Sequence, residues 1–119
     1  MVSPDALKVR SESAGRVHRL IATGELDNAT TPILERAFDA AYEGDAAMIV
    51  VDLTELSFMD STGIGLLVRM NDACEAADRL RVVNGSPAVV KVLDITGVRR
   101  QLPIISSGDD PLAPVRRKD

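Results

Sequence analysis

Residues 54–63 read Thr-Glu-Leu-Ser-Phe-Met-Asp-Ser-Thr-Gly and lie between two apolar segments. The run before them, residues 46–51, is unbroken, which is typical of a strand buried on both faces of a sheet. The segment after them repeats apolar residues at helical spacing over residues 64–70. We therefore predict that a central strand leaves through Asp52 into a short loop, and that a helix begins abruptly at residues 60–63. A strand that leads into a helix in this way indicates an α/β fold.

The start of this helix offers two hydroxyl groups, on Ser61 and Thr62. Either residue is a natural N-cap, because a side-chain oxygen can accept a hydrogen bond from an unpaired N–H group of the first turn. The same end of a helix carries partial positive charge and tolerates a phosphate group. A hydroxyl here is therefore either a plain cap or a site of covalent modification, and the local residues leave both open.

The remaining patterns complete a small α/β domain. Leu7 and Val9 alternate with polar residues, and a second strand pattern follows a turn at residues 14–15, so the chain begins with a β-hairpin. The spacing predicts strands near residues 7–12, 17–23, 46–51, 80–83 and 102–105, and helices near residues 31–43, 62–77 and 87–94. We expect a mixed sheet of four to five strands packed with three to four α-helices, in one domain over residues 1–106. Residues 107–119 are rich in polar residues and proline and are predicted to form a disordered tail.

Two features of the predicted helices bear on their packing. Thr30 or Thr31 is expected to cap the first helix, with Pro32 early in its first turn. The second helix carries apolar residues around more of its circumference than one packing face requires. We interpret the excess as a patch that can face a binding partner.

Charge and composition exclude several classes of ligand. The formal net charge is -4 with a pI near 4.9, which argues against direct nucleic-acid binding because that needs clustered Lys and Arg. Cys74 is the single cysteine, so no intrachain disulfide is possible and no zinc site has its ligands. We expect Cys74 to be a small core residue, and we expect no cofactor and no metal.

Membrane attachment and enzymatic activity are also not indicated. Residues 1–5 lack the basic start and apolar stretch of a signal peptide, and no segment approaches the ~20 apolar residues that span a bilayer, so we expect a cytoplasmic protein. Gly63 and Gly65 begin like a dinucleotide loop, but Val68 occupies the place of the third glycine. His18, the single histidine, would have to come from the hairpin to complete a catalytic triad. We therefore predict that the chain is not an enzyme.

Three segments together resemble one family. The first is the strand–loop–helix segment with Asp-Ser-Thr-Gly at residues 60–63; the second is Gly-Glu-Leu-Asp at residues 24–27, followed by Asn-Ala-Thr; the third is Asn-Gly-Ser-Pro at residues 84–87, leading to Thr-Gly-Val at residues 96–98. In this order and spacing they resemble the STAS-domain anti-sigma-factor antagonists, over roughly residues 7–106. One departure is the turn at residues 77–80, which lacks the glycine usual in the family. A left-handed residue there would have to be Asp78 or Arg79.

The resemblance implies a function and a set of site residues. It implies binding to an anti-sigma factor with serine-kinase activity, which releases a sigma factor, and switching off by phosphorylation of Ser61, with a phosphatase to reverse it. By the same resemblance Asp27, Asp60, Thr62 and Gly63 lie beside the phosphorylation site and contribute to partner binding. Either aspartate is alternatively a loop or capping residue. ATP would belong to the partner.

Two other functions compete with this one. The first is a STAS subunit of a lipid-transport or stress-signalling complex that is never phosphorylated. The intact Asp-Ser-Thr-Gly segment at residues 60–63 argues against it. The second is a small enzyme or nucleotide-binding protein, which the failed motif spacing disfavours.

Overall fold

The computed structural model describes residues 6–106 and begins with the predicted hairpin. β1, Leu7–Ala14, pairs antiparallel with β2, Val17–Leu26. Gly15 in the turn has a φ of 60°, a left-handed conformation that glycine adopts without steric cost. β2 continues three residues beyond its predicted end, and this extension carries the chain to the site described below.

Four further strands complete the sheet of the described residues. They are β3 at Met48–Asp52, β4 at Leu56–Met59, β5 at Leu80–Val83 and β6 at Ile104–Ile105. The strand order is β1-β2-β3-β5-β6, and β4 pairs with β2 beyond the β3 segment. Every pairing other than β1–β2 is parallel. Three consecutive residues of β3, Ile49, Val50 and Val51, are fully buried, which confirms the prediction of a central strand.

Three α-helices in this part of the chain pack against the sheet. α1 spans Thr31–Glu43, α2 spans Ser61–Cys74 and α3 spans Pro87–Thr96. α1 contacts β1, β2 and β3; α2 contacts α1, β4 and β5; α3 contacts β4. The core between them is aliphatic, as the low aromatic content predicts, and Cys74 is buried within it. The mixed α/β fold class is confirmed.

The structure differs from the prediction mainly at β4. β4 was not predicted, and with it the sheet of residues 6–106 has six strands instead of four to five. β6 has two residues where four were expected, and α2 ends at Cys74, followed by one 3₁₀ turn at Glu75–Ala77. The predicted tail, residues 107–119, lies outside the described residues.

The turn without glycine has the backbone that was expected of it. Asp78 follows the 3₁₀ turn with φ 52° and ψ 44°, in the left-handed region. Its carboxylate accepts hydrogen bonds from the Arg81 guanidinium at 2.9 and 3.1 Å.

Among residues 6–106, no helix has the length and apolarity to cross a membrane.

Candidate functional site

The carboxyl ends of β2 and β4 bring two loops to one edge of the sheet. Leu26 and Met59, the last residues of these strands, are register partners, and the Asp60 N–H donates to the Leu26 carbonyl oxygen at 3.2 Å. Asp27 and Asp60 are the next residue on each chain segment, so both leave the sheet from neighbouring points. The family resemblance implies that both aspartates lie near Ser61, and the pairing of β2 with β4, which the local sequence pattern does not predict, is what brings them together.

Asp60 is the N-cap of α2. Its Oδ1 accepts hydrogen bonds from the Thr62 N–H at 2.9 Å and the Gly63 N–H at 3.4 Å. The prediction that Ser61 or Thr62 caps this helix is wrong: the helix begins one residue earlier, and a carboxylate caps as well as a hydroxyl. The negative charge also complements the positive end of the helix.

The two hydroxyl groups at the helix start differ in their hydrogen bonding. The Thr62 hydroxyl donates to Asp60 Oδ1 at 2.5 Å, and Thr62 is partly buried. Ser61, the first residue of α2, is exposed, and its hydroxyl has no hydrogen-bond partner among residues 6–106. Of the two, the Ser61 hydroxyl is therefore the one that is free to react with a group from solvent or from a partner.

Gly63 allows α2 to lie close to the strands. A Cβ atom at this position would meet Met59 Cγ at 2.7 Å and Leu26 Cδ2 at 2.9 Å, which is closer than carbon atoms approach. Gly63 is buried. Its role is therefore to set the first turn of α2 against the ends of β2 and β4, which places Ser61 at the edge where Asp27 and Asp60 emerge.

Asp27 organises the loop between β2 and α1. Its Oδ1 accepts hydrogen bonds from the N–H groups of Ala29 at 3.0 Å and Thr30 at 3.1 Å. Thr30 is the N-cap of α1, as expected, but its hydroxyl does not cap the helix; it donates to the Glu25 carbonyl oxygen at 2.8 Å. The Asp27 hydrogen bonds within the described chain stay in this loop, so its carboxylate has a structural role whatever else it does.

The apolar surface near Ser61 comes from β4 and not from α2. Five apolar side chains of α2, Ile64, Leu66, Leu67, Met70 and Cys74, are buried, because the helix packs against α1 on one side and the strands on the other. The interpretation of the broad stripe as a partner-facing patch is therefore wrong. The exposed apolar residue of this segment is Phe58, with 46% of its surface accessible. Sequence reasoning missed it because β4 was not recognised as a strand.

Comparison with known proteins identifies the family. The model of the STAS domain matches residues 9–110, and the chain belongs to this family. The anti-sigma F factor antagonist of Lysinibacillus sphaericus is 38% identical over 77 residues, 63% of this chain and 66% of that protein. The anti-sigma-B factor antagonist of Staphylococcus aureus strain NCTC 8325 is 30% identical over 94 residues, 78% of this chain and 87% of that protein.

Solved structures give the same result. An anti-sigma factor antagonist from Mycobacterium paratuberculosis has a TM-score of 0.82 at 27% identity, over 98% of this chain and 100% of that one. The anti-sigma factor antagonist SpoIIAA in its unphosphorylated form has a TM-score of 0.69 at 27% identity, over 83% of this chain and 89% of that one. The phosphorylated form of the Bacillus SpoIIAA protein has a TM-score of 0.62 at 26% identity, over 83% and 92% of the two chains.

Proposed function

We propose that this chain is an anti-sigma-factor antagonist whose binding is switched off by phosphorylation of Ser61. In its unmodified form it binds an anti-sigma factor with serine-kinase activity, and that factor then releases its sigma factor. Family membership and the names of the relatives support the general function. The observation that carries the switch is the exposed Ser61 hydroxyl, free of hydrogen bonds among the described residues, at the first position of α2.

The chemistry of the switch belongs to the partner. Ser61 Oγ attacks the γ-phosphorus of ATP held by the kinase; the new Oγ–P bond forms as the bond between that phosphorus and the β,γ-bridging oxygen breaks. The hydroxyl proton passes to a base of the kinase, and ADP is the leaving group. The chain is thus a substrate of catalysis and not a catalyst. A phosphatase hydrolyses the phosphoserine to restore the hydroxyl.

The phosphate weakens partner binding because the site does not neutralise it. A helix N-terminus ordinarily stabilises an anion, but Asp60 Oδ1 already accepts from the Thr62 and Gly63 N–H groups. A phosphoserine adds about 1.5 to 2 negative charges beside the Asp60 carboxylate. These charges stay solvated, and burying them against a partner costs free energy. Each 1.4 kcal/mol of that cost lowers affinity about tenfold.

The proposal is tested by capture followed by reconstitution. The Ser61→Ala chain, immobilised, serves as bait in extract of the source organism, and each captured protein is identified, purified and incubated with the wild-type chain and ATP. We expect one anti-sigma factor to transfer one phosphate, and peptide mass spectrometry to place it on Ser61 and not on Thr62. Ser61→Ala is the matched control for the transfer.

Two outcomes contradict the proposal. Phosphate on Thr62 with Ser61 unmodified rejects the site. If the chain stays unmodified with every captured protein and instead joins a multi-subunit assembly, the alternative of a non-phosphorylated STAS subunit in a lipid-transport or stress-signalling complex replaces it.

A further inference from the structure

β4 contains a bulge that turns Phe58 toward solvent. The register of β2 with β4 moves from Gly24–Leu56 to Glu25–Phe58, so Ser57 is an extra residue between the two pairs. In an unbroken strand Leu56 and Phe58 share one face. With the bulge, Met59 takes the inward position beside Leu56, and both are buried at 2% and 1% exposure while Phe58 is 46% exposed.

Two specific features hold the bulge. The Ser57 hydroxyl donates to the Gly24 carbonyl oxygen at 3.0 Å. Gly24 has a φ of 114°, and a Cβ atom there would lie 2.1 Å from the Ala6 carbonyl oxygen, so the bend admits only glycine. A single exposed apolar residue needs no explanation by itself. Bulges next to functional sites change the direction of a side chain, and this bulge directs an apolar side chain outward three residues before Ser61.

The surroundings of Phe58 are acidic. Its register partner Glu25 is exposed, and Asp27 and Asp60 follow at the same edge of the sheet. We refer to Glu25, Asp27 and Asp60 as the acidic edge. An aromatic side chain bordered by carboxylates complements an apolar pocket bordered by Lys or Arg.

Given the proposed function, on which this inference rests, we infer that Phe58 is the apolar anchor of the interface with the anti-sigma factor. The factor receives Phe58 in an apolar pocket whose rim is basic and faces the acidic edge. This arrangement places Ser61 at the border of the buried contact. The new phosphate adds charge beyond the three carboxylates that the basic rim already neutralises, and its hydration shell brings water to the border of the apolar contact made by Phe58.

The test compares two exposed apolar residues by the same substitution. Phe58→Ala removes the proposed anchor, and Ile95→Ala is the matched control, since Ile95 is 73% exposed on α3. The probe is the purified anti-sigma factor identified with the Ser61→Ala bait, and the dissociation constant is measured by calorimetry. We expect Phe58→Ala to weaken binding at least ~10-fold, Phe58→Leu to recover part of the loss, and Ile95→Ala to stay within about twofold of wild type.

The charge of the pocket rim is tested separately by ionic strength. We expect the association rate of the wild-type chain to fall as NaCl is raised, and the fall to be shallower for Glu25→Gln. Association that does not respond to salt overturns the basic rim. Matching unfolding curves for all variants show that the changes in binding do not come from loss of folding.

The outcomes separate the inference from the function beneath it. If wild type binds the factor and is phosphorylated, but Phe58→Ala binds equally well, the anchor is rejected and the proposed function stands. If wild type itself does not bind, the function fails and the anchor with it. Self-association that Phe58→Ala abolishes, measured by light scattering, identifies a second copy of the chain as the occupant and also overturns the inference.

Discussion

Asp60 and Ser61 are adjacent residues whose side chains differ in hydrogen bonding. Asp60 is held in place by three hydrogen bonds to its Oδ1, from the Thr62 N–H, the Thr62 hydroxyl and the Gly63 N–H. Ser61 is held by none through its hydroxyl among residues 6–106. The Asp60 side chain therefore stabilises the helix start, and the Ser61 hydroxyl is the group available to react. A substitution at one of the two residues can change its role without changing the other.

We predict that Asp60→Ala lowers the free energy of unfolding by about 0.5–2 kcal/mol, since the N-cap of α2 is lost. Asp60→Asn keeps the capping oxygen and should be close to wild type. Ser61→Ala removes no hydrogen bond within the described chain and should change stability by less than ~0.5 kcal/mol. Urea unfolding of the three variants measures this. A larger loss for Ser61→Ala than for Asp60→Ala would mean that serine and not aspartate caps the helix.

Asp27 separates a structural role from a role of its charge. We predict that Asp27→Asn keeps the loop hydrogen bonds from the Ala29 and Thr30 N–H groups, because the asparagine side-chain oxygen accepts them as the carboxylate does, and that stability changes by less than ~0.5 kcal/mol. Loss of the negative charge should nevertheless slow phosphorylation or weaken binding to the anti-sigma factor. Kinase rate, affinity and melting temperature are measured on one preparation.

The matched variant is Asp27→Ala, which removes both the charge and the loop hydrogen bonds. It should be destabilised where Asp27→Asn is not. Normal phosphorylation and normal binding of Asp27→Asn would reduce Asp27 to a structural residue of the β2–α1 loop.

At the scale of elements, the sequence predicts those whose pattern comes from burial alone. β3 is recognisable because its first four positions, residues 48–51, are all apolar, and α1 because its apolar residues repeat at helical spacing up to Gly44. β4 was missed because its bulge puts Leu56 and Met59 inside and Ser57 and Phe58 outside, which breaks the period of two that identifies a strand. The side-chain pattern of a bulged strand depends on its partner strand, and the partner is not visible in a local window.

The apolar stripe of α2 was misinterpreted for a related reason, which is that its burial depends on neighbouring elements. A helix with apolar residues on two sides is consistent with an exposed patch or with burial between two neighbours. The choice depends on how α1 and the sheet enclose α2, which is a tertiary property. The site residues are predicted from family resemblance, with capping by Asp60 as an open alternative; the structure selects that cap and adds the close packing of Gly63 and the exposure of Phe58.

The turn between α2 and β5 allows a prediction for an element boundary. Asp78→Gly should raise the melting temperature by a few degrees, because glycine adopts the left-handed conformation of Asp78 without the steric cost. The substitution also removes the ion pair with Arg81 on the surface, which offsets part of the gain at neutral pH. Thermal unfolding of both proteins measures the net effect.

The ion pair between Asp78 and Arg81 determines the direction in which the stability of the fold changes with pH. The hydrogen bond from Arg81 holds the pKa of the Asp78 carboxyl below its ordinary value of 3.8. The ion pair therefore stabilises the fold above about pH 3.8 and is lost as the pH falls through the lower pKa of the folded state. The advantage of Asp78→Gly over wild type should thus grow between pH 7 and pH 3. An advantage that is constant with pH would show that the ion pair contributes nothing to stability.

At the scale of the whole molecule, the groups of the proposed switch and interface lie at one edge of the sheet. The ends of β2 and β4 supply the acidic edge, the bulge supplies Phe58, and α2 supplies Ser61. These groups lie outside the buried core. Their positions are fixed by the close packing of Gly63 against Met59 and Leu26. A change of charge at Ser61 can therefore alter partner affinity without unfolding the domain.

We predict accordingly that Ser61→Glu weakens binding to the anti-sigma factor at least ~10-fold, about 1.4 kcal/mol, while its unfolding curve stays close to that of wild type. Ser61→Ala should bind at least as tightly as wild type and should not respond to ATP. Glutamate carries one charge where phosphoserine carries nearly two, so the fully phosphorylated protein should bind more weakly than Ser61→Glu. The order of affinities, Ser61→Ala, then Ser61→Glu, then phosphorylated wild type, is measured by calorimetry at one salt concentration. If all three bind equally well, charge at Ser61 does not control the partner, and the regulatory step lies elsewhere in the complex.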